Sequence, residues 1–316
     1  MSSVVTLTMN PSVDLVAETD RMDLSGAKTR SAEPSCYPGG GGINVARGIA
    51  ALGGEVLAVY PSGGEIGQQL DRLVTEAGIE HRVTRIGGYT RQNVSLRERP
   101  DGRHLHLVFP GPRLGADEWR ACAGAVAGIE PPPDYLVMSG SLPPGVPADF
   151  YAQLAGRCAE RGSRVMVDTS GPALEAVLEA GVYLLKPNRR EFARLFDLSA
   201  DGQEGYVPRM RELVERGAAG AVVVTIGEAG ALLATAERCV HVRPPDTPGR
   251  NPVGAGDSLV AGLVAGLAAG NDLVEALAQG VAAAAAAVKE GGDLYRVDDL
   301  ESIRGRVRVE DCAHRT

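Results

Sequence analysis

The sequence lacks the segments that would direct a chain into a membrane or onto nucleic acid. Its apolar stretches at 258–270 and 280–288 are shorter than the ~20 residues that a membrane-spanning helix needs. Residues 1–8 carry no basic region of the kind that begins a signal peptide. There is no block of Lys or Arg, and the formal net charge of −8 disfavours a nucleic-acid surface. We therefore expect a cytoplasmic protein that binds no nucleic acid.

The sequence also lacks the usual spacings of metal-binding Cys and His. No H-E-x-x-H occurs, and five cysteines are scattered without a C-x-x-C pair: Cys36, Cys122, Cys158, Cys239 and Cys312. An odd, unpatterned number of cysteines is typical of reduced thiols and not of a disulfide framework or a zinc site. His104 and His106 would share one face of a strand, for which solvation is a simpler interpretation than metal binding.

Neither of two common phosphate-binding motifs is present. There is no G-x-x-x-x-G-K-[ST], and no G-x-G-x-x-G follows the first predicted strand at 4–9. Glycine-bearing turns instead follow several predicted strands that alternate with helices. This pattern predicts one α/β domain over 1–316, with a doubly wound sheet flanked by helices on both faces. The carboxyl ends of such strands meet at one edge, where ligands bind.

Two stretches, at roughly 13–38 and 87–110, interrupt the alternation. Around the second, predicted strands at 83–86, 92–98 and 104–109 are separated by Gly87-Gly88 and Pro100-Asp101-Gly102. We expect these stretches to form a small β-sheet lid, with the strand at 83–86 belonging to its second half. A final helix is predicted at 298–306, and the last ten residues are expected to be irregular.

The motif Gly254-Ala255-Gly256-Asp257 precedes an apolar segment that favours a helix. A helix that begins here presents unpaired backbone N–H groups and its positive dipole end, which favours binding of an anion. The Asp257 carboxylate would lie inside that site. Two interpretations stay open: it caps the helix, or it acts as a general base beside a transferring phosphate.

A second glycine run, Gly39 to Gly42, precedes an amphipathic helix predicted at 43–52. A flexible linker is less consistent with a helix that follows at once, so we interpret the run as a ligand-binding loop. Asn44, in the first turn of that helix, can donate to or accept from a sugar hydroxyl. Asp14 is either a ligand contact or a turn cap, and Arg91 is either a phosphate contact or a surface arginine.

The turn Lys186-Pro187-Asn188 leads into a segment that contains Glu191. Asn188 and Glu191 lie about one helical turn apart, and their oxygens suit a hydrated Mg²⁺ that bears phosphates. A capping box, in which the Glu191 carboxylate accepts from the Asn188 N–H, explains the same spacing equally well. Further on, the turn Gly227 to Gly230 separates two predicted strands and is suited to wrap the phosphates or ribose of a nucleotide.

Together these motifs resemble those of the ribokinase-like, PfkB-type sugar kinases. The resemblance covers nearly the whole chain and rests on residues 39–46, Ser139-Gly140-Ser141-Leu142-Pro143, Lys186-Pro187-Asn188-x-x-Glu191 and residues 253–258. It is strongest to the branch that phosphorylates sugar phosphates, and the four-glycine run is most similar to that of the minor bacterial 6-phosphofructokinases. The resemblance implies a ribokinase-like fold with a small β-sheet lid, and a homodimer that forms through the lid.

The resemblance also implies ATP-dependent transfer of a phosphoryl group to a sugar, with Asp257 as the base and the amides of Gly254, Ala255 and Gly256 as the anion hole. The sugar hydroxyls would be held by Asp14, Gly40, Gly41 and Asn44, and the existing sugar phosphate by Lys28, Arg30, Arg91 and Ser139. ATP and Mg²⁺ would be bound by Lys186, Asn188, Glu191, Thr225, Gly227 and Gly230, with Glu191 reaching Mg²⁺ through water.

One departure concerns a monovalent cation, which relatives bind through acidic or threonine residues just before the glycine turn. Here Asn251-Pro252-Val253 stands in that place, so the sequence gives only weak support for a cation at Asn251 and Val253. Fructose 6-phosphate is the expected acceptor, and fructose 1-phosphate and tagatose 6-phosphate are the alternatives. A non-catalytic sugar-phosphate sensor on the same fold is a further interpretation.

Overall fold

The computed structural model describes residues 3–23, 25, 28–99, 103–200, 202–203, 205–246, 254–290 and 297–312. The strands are β1 Val4–Leu7, β2 Ser12–Thr19, β3 Ser35–Gly39, β4 Leu57–Ser62, β5 Glu80–Arg85, β6 Arg91–Glu98, β7 His104–Leu107, β8 Tyr135–Ser139, β9 Arg164–Asp168, β10 Val182–Leu185, β11 Ala219–Thr225, β12 Ala231–Ala234, β13 Cys239–Arg243 and β14 Arg308–Asp311. The helices are α1 Gly41–Ala51, α2 Gly64–Glu76, α3 Ala116–Ala127, α4 Phe150–Ala159, α5 Pro172–Val177, α6 Arg189–Phe196, α7 Tyr206–Glu215, α8 Ala255–Ala268, α9 Leu273–Glu290 and α10 Val297–Arg304, with a short 3₁₀ turn at Gly227–Ala229.

The larger sheet has ten strands in the order β14-β13-β12-β11-β10-β9-β8-β1-β4-β5. The strands from β5 to β11 are parallel to their neighbours, whereas β12, β13 and β14 are antiparallel additions at one edge. Helices cover both faces, so the predicted doubly wound α/β fold is confirmed. No helix among the described residues is long and apolar enough to cross a membrane.

Successive residues of the central strands pack into two different cores. Val5 and Leu7 of β1 lie in the cluster that contains residues of α3 to α7, whereas Val4 lies in the cluster with α1, α8 and α9. Side chains alternate across a strand, and burial of both faces therefore requires apolar residues at nearly every position. This requirement explains the continuous apolar character of the central strands.

The smaller sheet has the order β3-β2-β6-β7, and we call it the small sheet. Its central strands β2 and β6 are parallel along their whole length, from Ser12 opposite Arg91 to Thr19 opposite Glu98. The assignment of the strand at 83–86 to the lid is wrong. That segment ends β5, which pairs with β4 in the larger sheet, because Val83 packs against the core cluster around Tyr60.

The C-terminal segment is also more regular than the sequence predicts. The last ten residues were expected to be irregular, but Arg308–Asp311 form β14 and pair with β13. All four residues of β14 are exposed, so the strand has no apolar alternation that would identify it in the sequence.

Helices α8 and α9 approach each other closely because small residues line their contact. A Cβ atom at Gly280 would lie 2.5 Å from the Leu259 carbonyl oxygen and 3.2 Å from the Leu263 amide nitrogen. Ordinary contacts of a real Cβ are longer than this, so glycine is required for the observed separation of the two helices.

We predict that Gly280→Ala lowers the free energy of unfolding by about 1–3 kcal/mol, because the methyl group must push α9 away from α8. The matched control is Gly124→Ala in α3, where nothing lies within 4 Å of the new atom. That control should be neutral or should stabilise the chain by up to about 1 kcal/mol through helix propensity. Urea unfolding followed by circular dichroism measures both, and equal stability of the two variants would contradict the close packing.

Candidate active site

The start of α8 leaves backbone N–H groups available for an anion. Gly254 precedes the helix with a φ of +80°, a left-handed conformation that glycine adopts without strain. The first helical hydrogen bond runs from the Ser258 N–H to the Gly254 carbonyl, at 2.9 Å. The amides of Ala255, Gly256 and Asp257 therefore have no acceptor within the helix, and the helix dipole adds positive potential there.

Asp257 is tied to the glycine-run helix α1. The Asn44 side-chain amide donates to Oδ2 of Asp257 at 2.8 Å, which joins the first turns of α1 and α8. Burial raises the pKa of Asp257 to about 7, and the negative charge of Asp168 contributes in the same direction. The hydrogen bond from Asn44 and the charge of Lys186 act in the opposite direction. A carboxyl that titrates near neutral pH is suited to accept a proton.

A buried ion pair lies beside Asp257. Asp168 ends β9 and Lys186 directly follows the neighbouring strand β10, and their Oδ1 and Nζ atoms are 3.0 Å apart with side chains 17% and 5% exposed. Burial raises the pKa of Asp168, and the charge of Lys186 opposes that shift. The Lys186 amine lies 3.9 Å from the position that a Cβ atom on Gly256 would occupy, so its charge is close to the α8 amides.

Sequence reasoning missed Asp168. The signal was present, because an acidic residue at the carboxyl end of a buried parallel strand lies at the edge where ligands bind. Asp14 was selected on the same ground from a less regular part of the chain.

The Asn188–Glu191 pair forms a capping box at the start of α6. The Asn188 N–H donates to Oε2 of Glu191 at 2.7 Å, and Oδ1 of Asn188 accepts from the N–H groups of Arg190 and Glu191 at 2.9 and 3.0 Å. Burial raises the pKa of Glu191, and the negative charge of Asp168 adds to the shift. Glu191 therefore acts as a cap and also lies within the electrostatic field of the Asp168–Lys186 pair.

The residues predicted to bind the nucleotide lie next to this cap. Thr225, at the end of β11, forms an isolated parallel bridge with Asn188, and its N–H donates to the Pro187 carbonyl at 3.3 Å. The 3₁₀ turn Gly227–Ala229 follows directly and ends at Gly230. The ring of His241 on β13 is hydrogen-bonded to the Ala229 carbonyl at 2.8 Å, which holds the turn against the sheet.

The acidic groups of this edge fit an indirectly bound magnesium ion. Within the described ranges, no group of three or more His, Cys, Asp or Glu residues is arranged to hold a metal by itself. The charge of Asp168 nevertheless adds to the rise that burial causes in the pKa values of Glu191 and Asp257, so the three carboxyl groups lie close to one another. Mg²⁺ keeps several waters and binds through a few carboxylates together with phosphates, which matches this arrangement.

The residues predicted to hold the sugar lie where β2 meets α1. The Asp14 carboxylate accepts from the Ser12 hydroxyl at 2.7 Å and from the Asn93 side chain at 2.8 Å. A Cβ atom at Gly39 would clash with that carboxylate, and one at Gly41 would clash with the Ser139 hydroxyl. The glycine run is thus packed between Asp14 and the turn after β8. Sequence reasoning missed Asn93, which orients Asp14 from the adjacent strand β6.

The cationic residues predicted for the sugar phosphate are not gathered at one place. Arg91 donates to the carbonyls of Phe109 and Asn10, each at 2.9 Å, so its guanidinium ties the small sheet to the loop after β1. Ser139 is buried beside the glycine run. Lys28 and Arg30 are exposed, and no contact among the described residues joins either side chain to Ser139. The predicted cation residues Asn251 and Val253 lie outside the described residues.

Comparison with known proteins identifies the family of the chain. The family model of the pfkB family carbohydrate kinases matches residues 3–299. ATP-dependent 6-phosphofructokinase isozyme 2 of Escherichia coli K12 is 38% identical over 305 residues, covering 96% of this chain and 98% of the relative. The 1-phosphofructokinase of Bacillus subtilis 168 is 33% identical over 283 residues, covering 90% of this chain and 91% of the relative.

Solved structures show the same fold. Crystal structures of phosphofructokinase-2 from Escherichia coli in complex with fructose-6-phosphate and with potassium superpose with TM-scores of 0.90 and 0.92. Each is 37% identical to this chain, of which 97% is covered, together with 99% of the solved chain. The chain belongs to the pfkB family of carbohydrate kinases. Within that family it is an ATP-dependent sugar-phosphate kinase.

We predict that Asp168→Asn moves the acidic limb of the pH profile of kcat/KM to lower pH, by about half a unit or more. The variant removes a negative charge that raises the pKa of Asp257 and leaves the Lys186 charge unpaired nearby. A base must be ionised to act, so activity falls as the pH drops through its pKa, and a lower pKa shifts that fall downward.

The profile is measured with saturating ATP and limiting sugar phosphate. The matched control is Asp149→Asn, which makes the same charge change at an exposed carboxylate at the start of α4. A limb that belongs to the substrate's own phosphate would not move in either variant. The assignment of the acidic limb to Asp257 fails if both variants keep the wild-type pH profile.

Proposed function

We propose that the protein transfers the γ-phosphoryl group of ATP to fructose 6-phosphate and forms fructose 1,6-bisphosphate, a reaction of glycolysis. The observation that carries this proposal is the placement of Asp257. Its carboxyl has a pKa of about 7 and lies at the start of α8 among three amides without helical partners. The 38% identical relative that is a 6-phosphofructokinase supports this choice of acceptor. A cytoplasmic location remains a prediction.

In the proposed mechanism, Asp257 removes the proton from the acceptor hydroxyl. Asn44 donates to Oδ2 of Asp257 and fixes the carboxylate, while Oδ1 remains for the proton. The amides of Ala255 and Gly256, which have no helical partner, would stabilise the charge of the transferring phosphoryl group together with the Gly254 amide and the Lys186 amine. Such stabilisation by fixed groups, together with positioning, accounts for most of the catalysis of phosphoryl transfer.

The nucleotide would lie along Asn188, Thr225 and the turn Gly227 to Gly230, because these residues form a continuous surface beside Lys186. Glu191 and Asp168 would hold Mg²⁺ through water when it binds with ATP, and the ion would neutralise phosphate charge. A monovalent cation at Asn251 and Val253 remains a prediction, which the potassium complex of the Escherichia coli relative supports.

The acceptor sugar would lie between Asp14, Asn44 and the backbone of Gly40 and Gly41. The small sheet that carries Asp14 and Asn93 would then act as the lid over this site, formed by roughly 13–38 and 87–110. Arg91, bound to the Asn10 carbonyl, and Ser139, packed against Gly41, are candidates for contact with its phosphate. Lys28 and Arg30 remain predicted phosphate contacts.

We predict that fructose 6-phosphate gives the highest kcat/KM in a panel that also contains fructose 1-phosphate, tagatose 6-phosphate and unphosphorylated fructose, with ATP and Mg²⁺ present. A preference for either other sugar phosphate would replace the proposed acceptor and keep the proposed chemistry. Transfer to none of them would favour the sensor interpretation.

Asp257→Asn is the matched variant for this panel, because the amide replaces the carboxylate at equal size. The loss of the base should lower kcat by about 10²–10⁴-fold. Binding of fructose 6-phosphate, measured by calorimetry, should change little. Retained turnover in this variant would remove Asp257 from the proposed role.

The small sheet also supports a homodimer. On one of its faces, apolar residues stand opposite one another across three strands: Leu15 opposite Val94, Ala17 opposite Leu96, Val94 opposite Leu107 and Leu96 opposite Leu105. Leu105 and Leu107 are 38% and 43% exposed. A continuous apolar face of this kind is typical of a protein–protein contact, and a second copy of the chain is the proposed partner.

We predict that Leu105→Glu converts a dimer into a monomer in light scattering, because a charge would be buried in the contact. The matched control is Val16→Glu, since Val16 is also 38% exposed but lies on the opposite face of the small sheet, next to Ser95. Dissociation in both variants, or in neither, would contradict a dimer built on this face.

A further inference from the structure

Two of the five cysteines, which are far apart in the sequence, lie side by side at the sheet edge. The register of β13 and β14 pairs Val240 with Asp311, and it therefore places Cys239 directly opposite Cys312. The Cys312 N–H donates to the Cys239 carbonyl at 2.9 Å, which extends the ladder by one position. The two thiols are hydrogen-bonded to each other.

This arrangement matches the geometry that a disulfide requires. Directly opposed residues that share ladder hydrogen bonds in an antiparallel pair have Cα atoms about 5.5 Å apart. Disulfides usually span about 4.4–6.8 Å between Cα atoms, so the Cα separation expected for this pair lies within the range of a disulfide. The other cysteines have different surroundings: Cys122 contacts Thr84, Cys158 lies near Arg157 and Arg161, and Cys36 belongs to the small sheet.

We propose that Cys239 and Cys312 form a reversible intrachain disulfide under oxidation by a peroxide, and that this bond fastens β14 to the edge of the larger sheet. Both cysteines are free thiols in this structure. The bond would close a loop that contains α8, α9 and the Gly254–Asp257 motif, so it would restrict the unfolded chain over the segment that builds the anion site.

The two thiols are suited to different steps of the oxidation. Cys239 is 3% exposed and Cys312 is partly buried, so the peroxide meets Cys312 first. The hydrogen bond from the Cys239 thiol and the positive charge of Arg211 lower the pKa of the Cys312 thiol, which favours the reactive thiolate. The same hydrogen bond, with burial as a smaller cause, raises the pKa of Cys239.

The reaction balances as follows. The Cys312 thiolate attacks one peroxide oxygen, the O–O bond breaks, and Cys312 becomes a sulfenic acid while hydroxide leaves and takes up a proton. The Cys239 sulfur then attacks the Cys312 sulfur, the S–S bond forms, the S–O bond breaks, and the second oxygen leaves as water with the Cys239 proton. Two thiols are oxidised and one hydrogen peroxide is reduced to two waters.

The test uses the full chain treated with hydrogen peroxide and then digested without reductant. Mass spectrometry should find the peptides of Cys239 and Cys312 joined within one chain, with an intact mass about 2 Da lower. The melting temperature should rise by about 5 °C or more and return to its starting value after dithiothreitol. Oxidation of Cys312 to sulfinic or sulfonic acid without the joined peptide, or a cross-link between two chains, would overturn the proposal.

Variants separate the bond from general effects of oxidation. Cys312→Ser should fold, because its side chain is only partly buried, and it should lose both the joined peptide and the rise in melting temperature. The matched control is Cys36→Ser, which removes the other partly buried cysteine and should keep both. A joined peptide that leaves the melting temperature unchanged would show that the bond forms but does not fasten β14.

Discussion

The hydrogen bond from Asn44 to Asp257 is the contact on which the proposed site depends. It joins the first turns of α1 and α8, two helices that begin at glycine turns and come from opposite ends of the chain. Val45 and Ile49 of α1 share one apolar cluster with Leu259 and Leu263 of α8. The packing therefore fixes the distance between the helix starts, and the hydrogen bond orients the carboxylate between the sugar side and the phosphate side.

The carboxylates of the site differ electrostatically from those elsewhere in the molecule. Away from it, carboxylates such as Glu98 and Asp134 accept local hydrogen bonds, from Arg103 and from Ser3 respectively, that lower their pKa values. At the site the shifts run in the opposite direction, mainly because Asp168, Glu191 and Asp257 are withdrawn from water, and the charge of Asp168 adds to the shifts of the other two. A cation at this edge would favour the ionised carboxylates, which gives a physical reason for a nucleotide to bind there with its metal.

Much of the fold was predictable because its signals are local. Alternation of buried strands with helices indicates a doubly wound sheet, and glycine turns mark the carboxyl ends of its strands. The parallel pairing of β2 with β6 and the exposed strand β14 depend on long-range register, for which the sequence has no local signal. For Asn188 and Glu191 the sequence allowed both a capping box and a magnesium contact, and the spacing alone did not distinguish them. The ion pair of Asp168 with Lys186 required knowledge that β9 and β10 are neighbours.

The ionisation of Asp257 favours the proposed chemistry but lowers the stability of the fold. Its pKa is about 7 in the folded chain, compared with an ordinary value of 3.8. Between these two pH values Asp257 holds a proton in the folded chain that it has released in the unfolded chain, so its contribution to stability falls as the pH rises through this window. Above it, Asp257 is ionised in both states and the loss persists. The carboxylate is thus ready to accept a proton under the conditions in which it destabilises the fold most. The close packing of α8 on α9 and on α1 keeps the Asp257 carboxylate in place although its ionisation destabilises the fold.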